Sequence, residues 1–408
     1  MRAEIPSLTG VRLVAALSVV IGHAFMFLVQ LPEPSEILNV VSNLSGFGMT
    51  LFFVLSGFVI HMNYADTIST RDGLRNFAVA RFARLYPLYF LLLMIDLAFH
   101  HPQERLIAIP FYLTLTQTWF YFPVDGAALV SQFGVTPQVS WSISTEWFFY
   151  FAFPLLAASI ALFKERLRWI AVTIALLCVV GMAMSFILNL ERPSILAFGL
   201  DRYGPIGADR LDSFYRWLVY FCPYVRIAEF ALGCLTSALV SSLRDPTTSE
   251  QRWGLVVTLT AIVGIIALQW IIFANGNVPL LIYGLHMNFG FAPFAALLVF
   301  CCARYRNPII GALSSKMAVT LGEASYSIYL VHLVIIFKLR IGLPVISDLQ
   351  SALAVSLRIV FGLSLTLAIS FASWRFIEMP ARRFVRNRFG RESLSTKVRL
   401  QPASDGRA

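Results

Sequence analysis

Arg12 and His23 stand eleven residues apart in the stretch VRLVAALSVVIGHAF, residues 11–25. Eleven residues make about three helical turns, so on a helix the two side chains share one face, ~16 Å apart along the axis. A guanidinium offers a fixed fork of donors to an anion, and a neutral imidazole can take a proton from a hydroxyl. At ~16 Å and an effective dielectric of ~20, two unit charges interact by only about 1 kcal/mol. Arg12 is therefore a poor tuner of His23 and reads as a separate anion contact on the same wall. A plainer reading stays open: Arg12 snorkels to the headgroups and His23 is a hydrogen-bonded core residue.

Four other stretches carry polar groups of the same kind. In RFARLYPLYF, residues 81–90, Arg81 and Arg84 are i,i+3 neighbours. Paired guanidinium groups suit phosphate oxygens, although a basic helix entrance would hold arginines in any case. In WSISTEWFFYFAFP, residues 141–154, Glu146 is a carboxylate in apolar surroundings and needs a partner. It is expected at a depth near that of His23, to orient the imidazole, hold a sugar hydroxyl or close a structural ion pair. In GMTLFFVLSGFVI, residues 48–60, Ser56 and Gly57 admit a close helix or a narrow ligand. In LGEASYSIYLVHLVII, residues 321–336, Ser325, Tyr329 and His332 fall at i, i+4 and i+7, a polar stripe that serves packing or catalysis equally well. Glu378, beside Arg375, Arg382 and Arg383 in the C-terminal part, reads as a local ion pair. The sequence holds no nucleotide-binding glycine loop, zinc-protease motif or nucleophile elbow. The five cysteines lack metal spacing and are expected as buried thiols, with no metal site.

Helices in lipid must position these groups. Of 408 residues, 58% are hydrophobic and 13% charged, too apolar for a soluble core to hide. The fold expected is all-α and membrane-integral, with about ten crossings at 20 or so residues each. The segments are 11–29, 41–60, 82–99, 146–163, 169–190, 217–240, 253–273, 281–302, 318–337 and 352–376. The net charge of +10 is then a matter of loops rather than of nucleic acid. With both termini cytoplasmic and 106–122 not crossing, the inner loops hold Arg71, Arg75, Arg81, Lys164, Arg166, Arg168, Arg244, Arg252, Arg304, Arg306 and Lys316. Lys338 and Arg340 face outward as a small exception. Residues 100–142 become a long outer segment, re-entrant or lying along the interface. The transmembrane domain is expected over residues 1–380, followed by a basic, disordered cytoplasmic tail over 381–408.

Together these stretches resemble the acyltransferase-3 family of integral membrane acyltransferases, over nearly the whole chain. Arg12 and His23 match its Arg-x10-His element, and Arg81 and Arg84 its Arg-x-x-Arg element. FFVLSGFVI, WSISTEWFFY and SYSIYLVH are similar to further recurring stretches. The resemblance implies a cell inner-membrane enzyme moving an acyl group, expected to be acetyl, from cytoplasmic acyl-CoA to a hydroxyl of a carbohydrate or lipid-linked glycan. No permanently bound cofactor is implied. The catalytic set is then His23, Arg12 and Glu146; Arg81, Arg84, Tyr86 and Ser56 would bind the donor; Ser325, Tyr329 and His332 would bind the acceptor. His23 would act as general base or carry the acyl group itself. Thr50 departs from the family, which often has an acidic or amide residue there. Some members add a hydrolase-like C-terminal domain, so any such step would need a separate protein here. A proton-coupled transporter is the competing class, since buried His23, Glu146 and His332 would equally serve a proton relay.

Overall fold

The computed structural model describes residues 5–33, 35–99, 106–132, 139–207, 212–274, 279–342 and 344–390. The protein is almost entirely helical. The main helices are α1 (Pro6–Leu28), α2 (Leu44–Tyr64), α3 (Arg71–Phe99), α4 (Trp141–Ala161), α5 (Leu167–Leu190), α6 (Pro223–Ser242), α7 (Thr248–Phe273), α8 (Ala292–Arg304), α9 (Lys316–Glu323), α10 (Ser325–Leu339), α11 (Leu349–Ser373) and α12 (Met379–Phe389). Among the described residues, 8 helical stretches are long and apolar enough to cross a membrane, or 9 if α9 and α10, bent by 66°, form one crossing. It is a multi-pass membrane protein.

Residues 281–302, one of the expected crossings, are not one continuous helix. The apolar run there contains Gly284, Gly290 and Pro293, and also His286 and Asn288. These residues favour turns, so the chain makes two short 3-10 turns, Gly284–His286 and Phe289–Phe291, before α8 begins. Irregular backbone at membrane depth must be satisfied by protein groups. Arg226 supplies one: its Nη1 donates to the Met287 carbonyl at 2.5 Å. Thr50 Oγ1 lies 3.3 Å from the Asn288 carbonyl, and Ser185 donates to the Asn288 side-chain oxygen.

Residues 106–122 form no crossing helix, as their proline and polar content predicts. Two short turns, Leu106–Ala108 and Ile109–Leu113, lean on α3, where Tyr86 and Tyr89 donate to the carbonyls of Leu113 and Tyr112 at 2.9 and 2.8 Å. A two-residue hairpin pair, Pro123–Val124 with Ala127–Ala128, follows. The first part of the region expected as tail lies within α12; residues 391–408 lie outside the described residues.

Burial separates the centre of the bundle from its rim. The crossing that contains α2 has 72% of its apolar window buried, against 17% for α5 and for the crossing that begins with α11. Leu155, Val179 and Leu353 are exposed and apolar, as lipid-facing side chains are. Helices α2 and α6 meet through reciprocal glycines. A Cβ on Gly57 would lie 2.0 Å from the Phe230 carbonyl oxygen, and one on Gly233 would lie 1.9 Å from that of Val54. Neither position tolerates a side chain without the helices parting, which is how small residues bring backbones together in membranes. Ser56, one residue along, turns instead toward the cavity described next.

Candidate active site

A cavity of about 60 Å³ lies between α1, α2, α3, α4 and α10. Its charged wall is built from three helices: Arg12 on α1, Arg81 and Arg84 on α3, and Glu146 on α4. Three guanidinium groups against one carboxylate leave it cationic. Arg81 is held by Tyr64, whose hydroxyl accepts from Nη2 at 3.3 Å and whose ring lies 5.3 Å from the guanidinium. Its Nε is buried with no hydrogen-bond partner among the described residues. Oε1 of Glu146 accepts from Ser56 Oγ at 2.6 Å and from the Tyr150 hydroxyl at 2.8 Å. Ser325 and Tyr329, one helical turn apart on α10, also line the space. The sequence-derived set thus largely converges: Arg12, Ser56, Arg81, Arg84, Glu146, Ser325 and Tyr329 face one cavity. Tyr86 does not; it stacks between Phe82 and Phe90 with its hydroxyl tied to Leu113.

His23 and His332 are not on this lining. They meet each other instead, with Nδ1 of His23 2.8 Å from Nε2 of His332 and the rings nearly parallel at 5.2 Å between centroids. Glu146 stands with the arginines rather than beside the imidazole. The other end of the pair sets its polarity. Nδ1 of His332 lies 2.6 Å from the Tyr329 carbonyl, an oxygen that can only accept. That nitrogen therefore carries the proton, and Nε2 of a neutral His332 is left with a lone pair. His23 must then donate from Nδ1, so its Nε2 is the unprotonated atom. Nε2 of His23 has no hydrogen-bond partner among the described residues, and the ring is only half-buried. Two hydrogen bonds thus leave one imidazole nitrogen basic and unoccupied.

Tyr329 joins the two halves. Its ring lines the cavity, its carbonyl orients His332, and its hydroxyl donates to the Val139 carbonyl at 2.8 Å while Ser142 Oγ approaches it at 2.8 Å. The polar stripe of Ser325, Tyr329 and His332 is therefore one face of α10, its first two members on the cavity and its third in the histidine pair.

A family model for an acyltransferase domain, acyltransferase-3, matches residues 5–375. The chain belongs to the acyltransferase-3 family. It is 27% identical to acyltransferase MdmB of Streptomyces mycarofaciens over 351 residues, covering 82% of this chain and 79% of that protein. It is 24% identical to O-acetyltransferase OatA of Staphylococcus aureus strain NCTC 8325 over 393 residues, covering 93% of this chain. It is 26% identical to a putative O-acetyltransferase, SACOL0978, of Staphylococcus aureus strain COL over 399 residues. The chain spans 57% of the length of each of these two staphylococcal relatives. No solved structure matches it. As a member of the family the protein is an acyltransferase, and the cavity and histidine pair are where its helices gather the polar groups.

Sequence reasoning does not single out Arg226 and Glu229, which form a fully buried ion pair on α6 at 2.9 Å. Thr50 donates to Glu229 at 2.7 Å, tying α2 to the carboxylate on α6. The signal was available as two opposite charges three residues apart inside an apolar run. Glu378 pairs with Arg382 as expected and also accepts from Ser327 at 2.7 Å.

Proposed function

We propose that this protein is a bacterial inner-membrane O-acyltransferase that moves an acyl group, in the simplest case acetyl, from acyl-CoA to a hydroxyl of a carbohydrate or lipid-linked glycan. The observation that carries the reading is the polarised chain from the Tyr329 carbonyl through His332 to His23, which leaves His23 Nε2 as a free base. The cationic cavity beside it supports an anionic donor. Its arginine-rich mouth faces the cytoplasm under this reading, where CoA phosphates meet Arg81, Arg84 and Arg12. Glu146 holds Ser56 and Tyr150 in place along the donor's path.

The thioester is delivered toward His23, and the acceptor arrives from the opposite face. His23 Nε2 takes the proton of the acceptor hydroxyl while its oxygen attacks the thioester carbonyl carbon. The carbon–sulfur bond breaks, and the departing CoA thiolate receives the proton from the imidazolium. His332 accepts from His23 Nδ1 throughout, which spreads the positive charge toward the Tyr329 carbonyl. An acyl-imidazole route would use the same nitrogen, so the geometry serves both.

The test uses inverted membrane vesicles containing the full chain, supplied with acetyl-CoA labelled in the acetyl group. Acid-stable, base-labile label in the glycan or lipid-linked fraction, dependent on the chain, is the expected result. Vesicles that instead accumulate a solute against a proton gradient without acyl-CoA, and transfer no label, would favour a transporter.

A further inference from the structure

One apolar ring of the cavity wall also borders the α1 stretch that runs from Arg12 toward His23. Phe52 lines the cavity and meets the Tyr329 ring edge-on, 6.0 Å between centroids. It also packs against the buried cluster that holds Ala16 and Val20, α1 residues that lie between Arg12 and His23, together with Ile328 of α10. A donor passing from the arginines toward the imidazole would run along Phe52. The neighbouring rings are fixed. Phe53 is buried and gripped edge-on by Trp141 and Phe149, at 6.1 and 5.2 Å. Tyr329 is tied at both its hydroxyl and its carbonyl. Phe52 is only half-buried, the least enclosed of the three rings.

We infer that Phe52 is the specificity-determining residue for the acyl group, restricting the donor to short, unbranched acyl-CoA. The inference rests on the acyl-CoA reading above. The acyl end leads the donor, and the space it must enter is the space the Phe52 ring fills. A two-carbon group fits when the ring rotates by one well of its side-chain torsion. A longer or branched group needs the volume of the ring itself, in a cavity of only about 60 Å³. Apolar sites of this kind discriminate by roughly tenfold or more for each methylene they cannot seat.

The experiment measures CoA release and acyl incorporation in vesicles containing the full chain, with acetyl-, propionyl-, butyryl-, isobutyryl- and hexanoyl-CoA. The wild-type chain is expected to lose at least about tenfold in kcat/KM from acetyl to butyryl. Phe52→Ala is expected to raise the butyryl-to-acetyl and isobutyryl-to-acetyl ratios of kcat/KM by at least about tenfold, whatever its effect on the acetyl rate itself. Phe52→Leu, a smaller change in packing, is expected to fall between. A flat wild-type profile overturns the filter whether or not the variants fold. So do unmoved ratios in folded variants. A wild-type chain that uses no acyl-CoA at all overturns the underlying function instead, and the two failures are told apart by that control.

Discussion

Nδ1 of His23 and Nε2 of His332, 309 residues apart in the chain, lie 2.8 Å from each other. Because His332 is pinned by a carbonyl that can only accept, this contact has one direction, and it leaves the basic atom on His23. His332 is thus a positioning residue for the base. His332→Phe keeps a ring against its neighbours but removes the acceptor, and is expected to lower kcat on the order of a hundredfold while KM for acyl-CoA stays near wild type. His332→Gln, whose amide offers both a donor and an acceptor, should recover part of the loss. Steady-state kinetics across an acyl-CoA range separate this from a general loss of fold, which would lower active enzyme in both variants alike.

Arg84 lines the cavity beside Arg12 and Arg81. Removing one hydrogen-bonding cation from a phosphate site costs about 1.5–3 kcal/mol. Arg84→Ala should therefore raise KM for acyl-CoA on the order of 10- to 100-fold with a smaller effect on kcat, and Arg84→Lys should restore part of it. An unchanged KM would remove Arg84 from the donor site.

How much of this was legible in the chain depends on the distance over which each fact is encoded. The shared face of Arg12 and His23 and the stripe of Ser325, Tyr329 and His332 follow from 3.6 residues per turn, so local spacing suffices. The partner of His23 does not, because no local period links α1 to α10. Glu146 shows how a small error at a helix end moves a side chain. A crossing counted from residue 146 puts the carboxylate at the rim, but α4 begins at Trp141, and five residues at 1.5 Å each carry Glu146 ~7 Å deeper, among the arginines. The break within 281–302 has a similar origin, since mean hydropathy does not register Gly284, Gly290 and Pro293 as breaks.

Arg226 and Glu229 hold the broken backbone at Met287 and Asn288 together from inside the bundle. Losing one member of a buried pair leaves an uncompensated charge, at a cost of about 3–5 kcal/mol. Glu229→Ala should accordingly lower the unfolding midpoint in detergent far more than the double variant Arg226→Met with Glu229→Leu. Equal losses in the two would mean that the pair contributes hydrogen bonds to the backbone rather than charge balance.

The central claim is that His23 Nε2 handles the proton or the acyl group. It is tested most directly by comparing wild-type and His23→Ala chains, at equal folded amounts, for transfer of label from acetyl-CoA to the glycan fraction. The account predicts a drop of about 10²- to 10⁴-fold in transfer with acyl-CoA binding retained; transfer at the wild-type rate would contradict it.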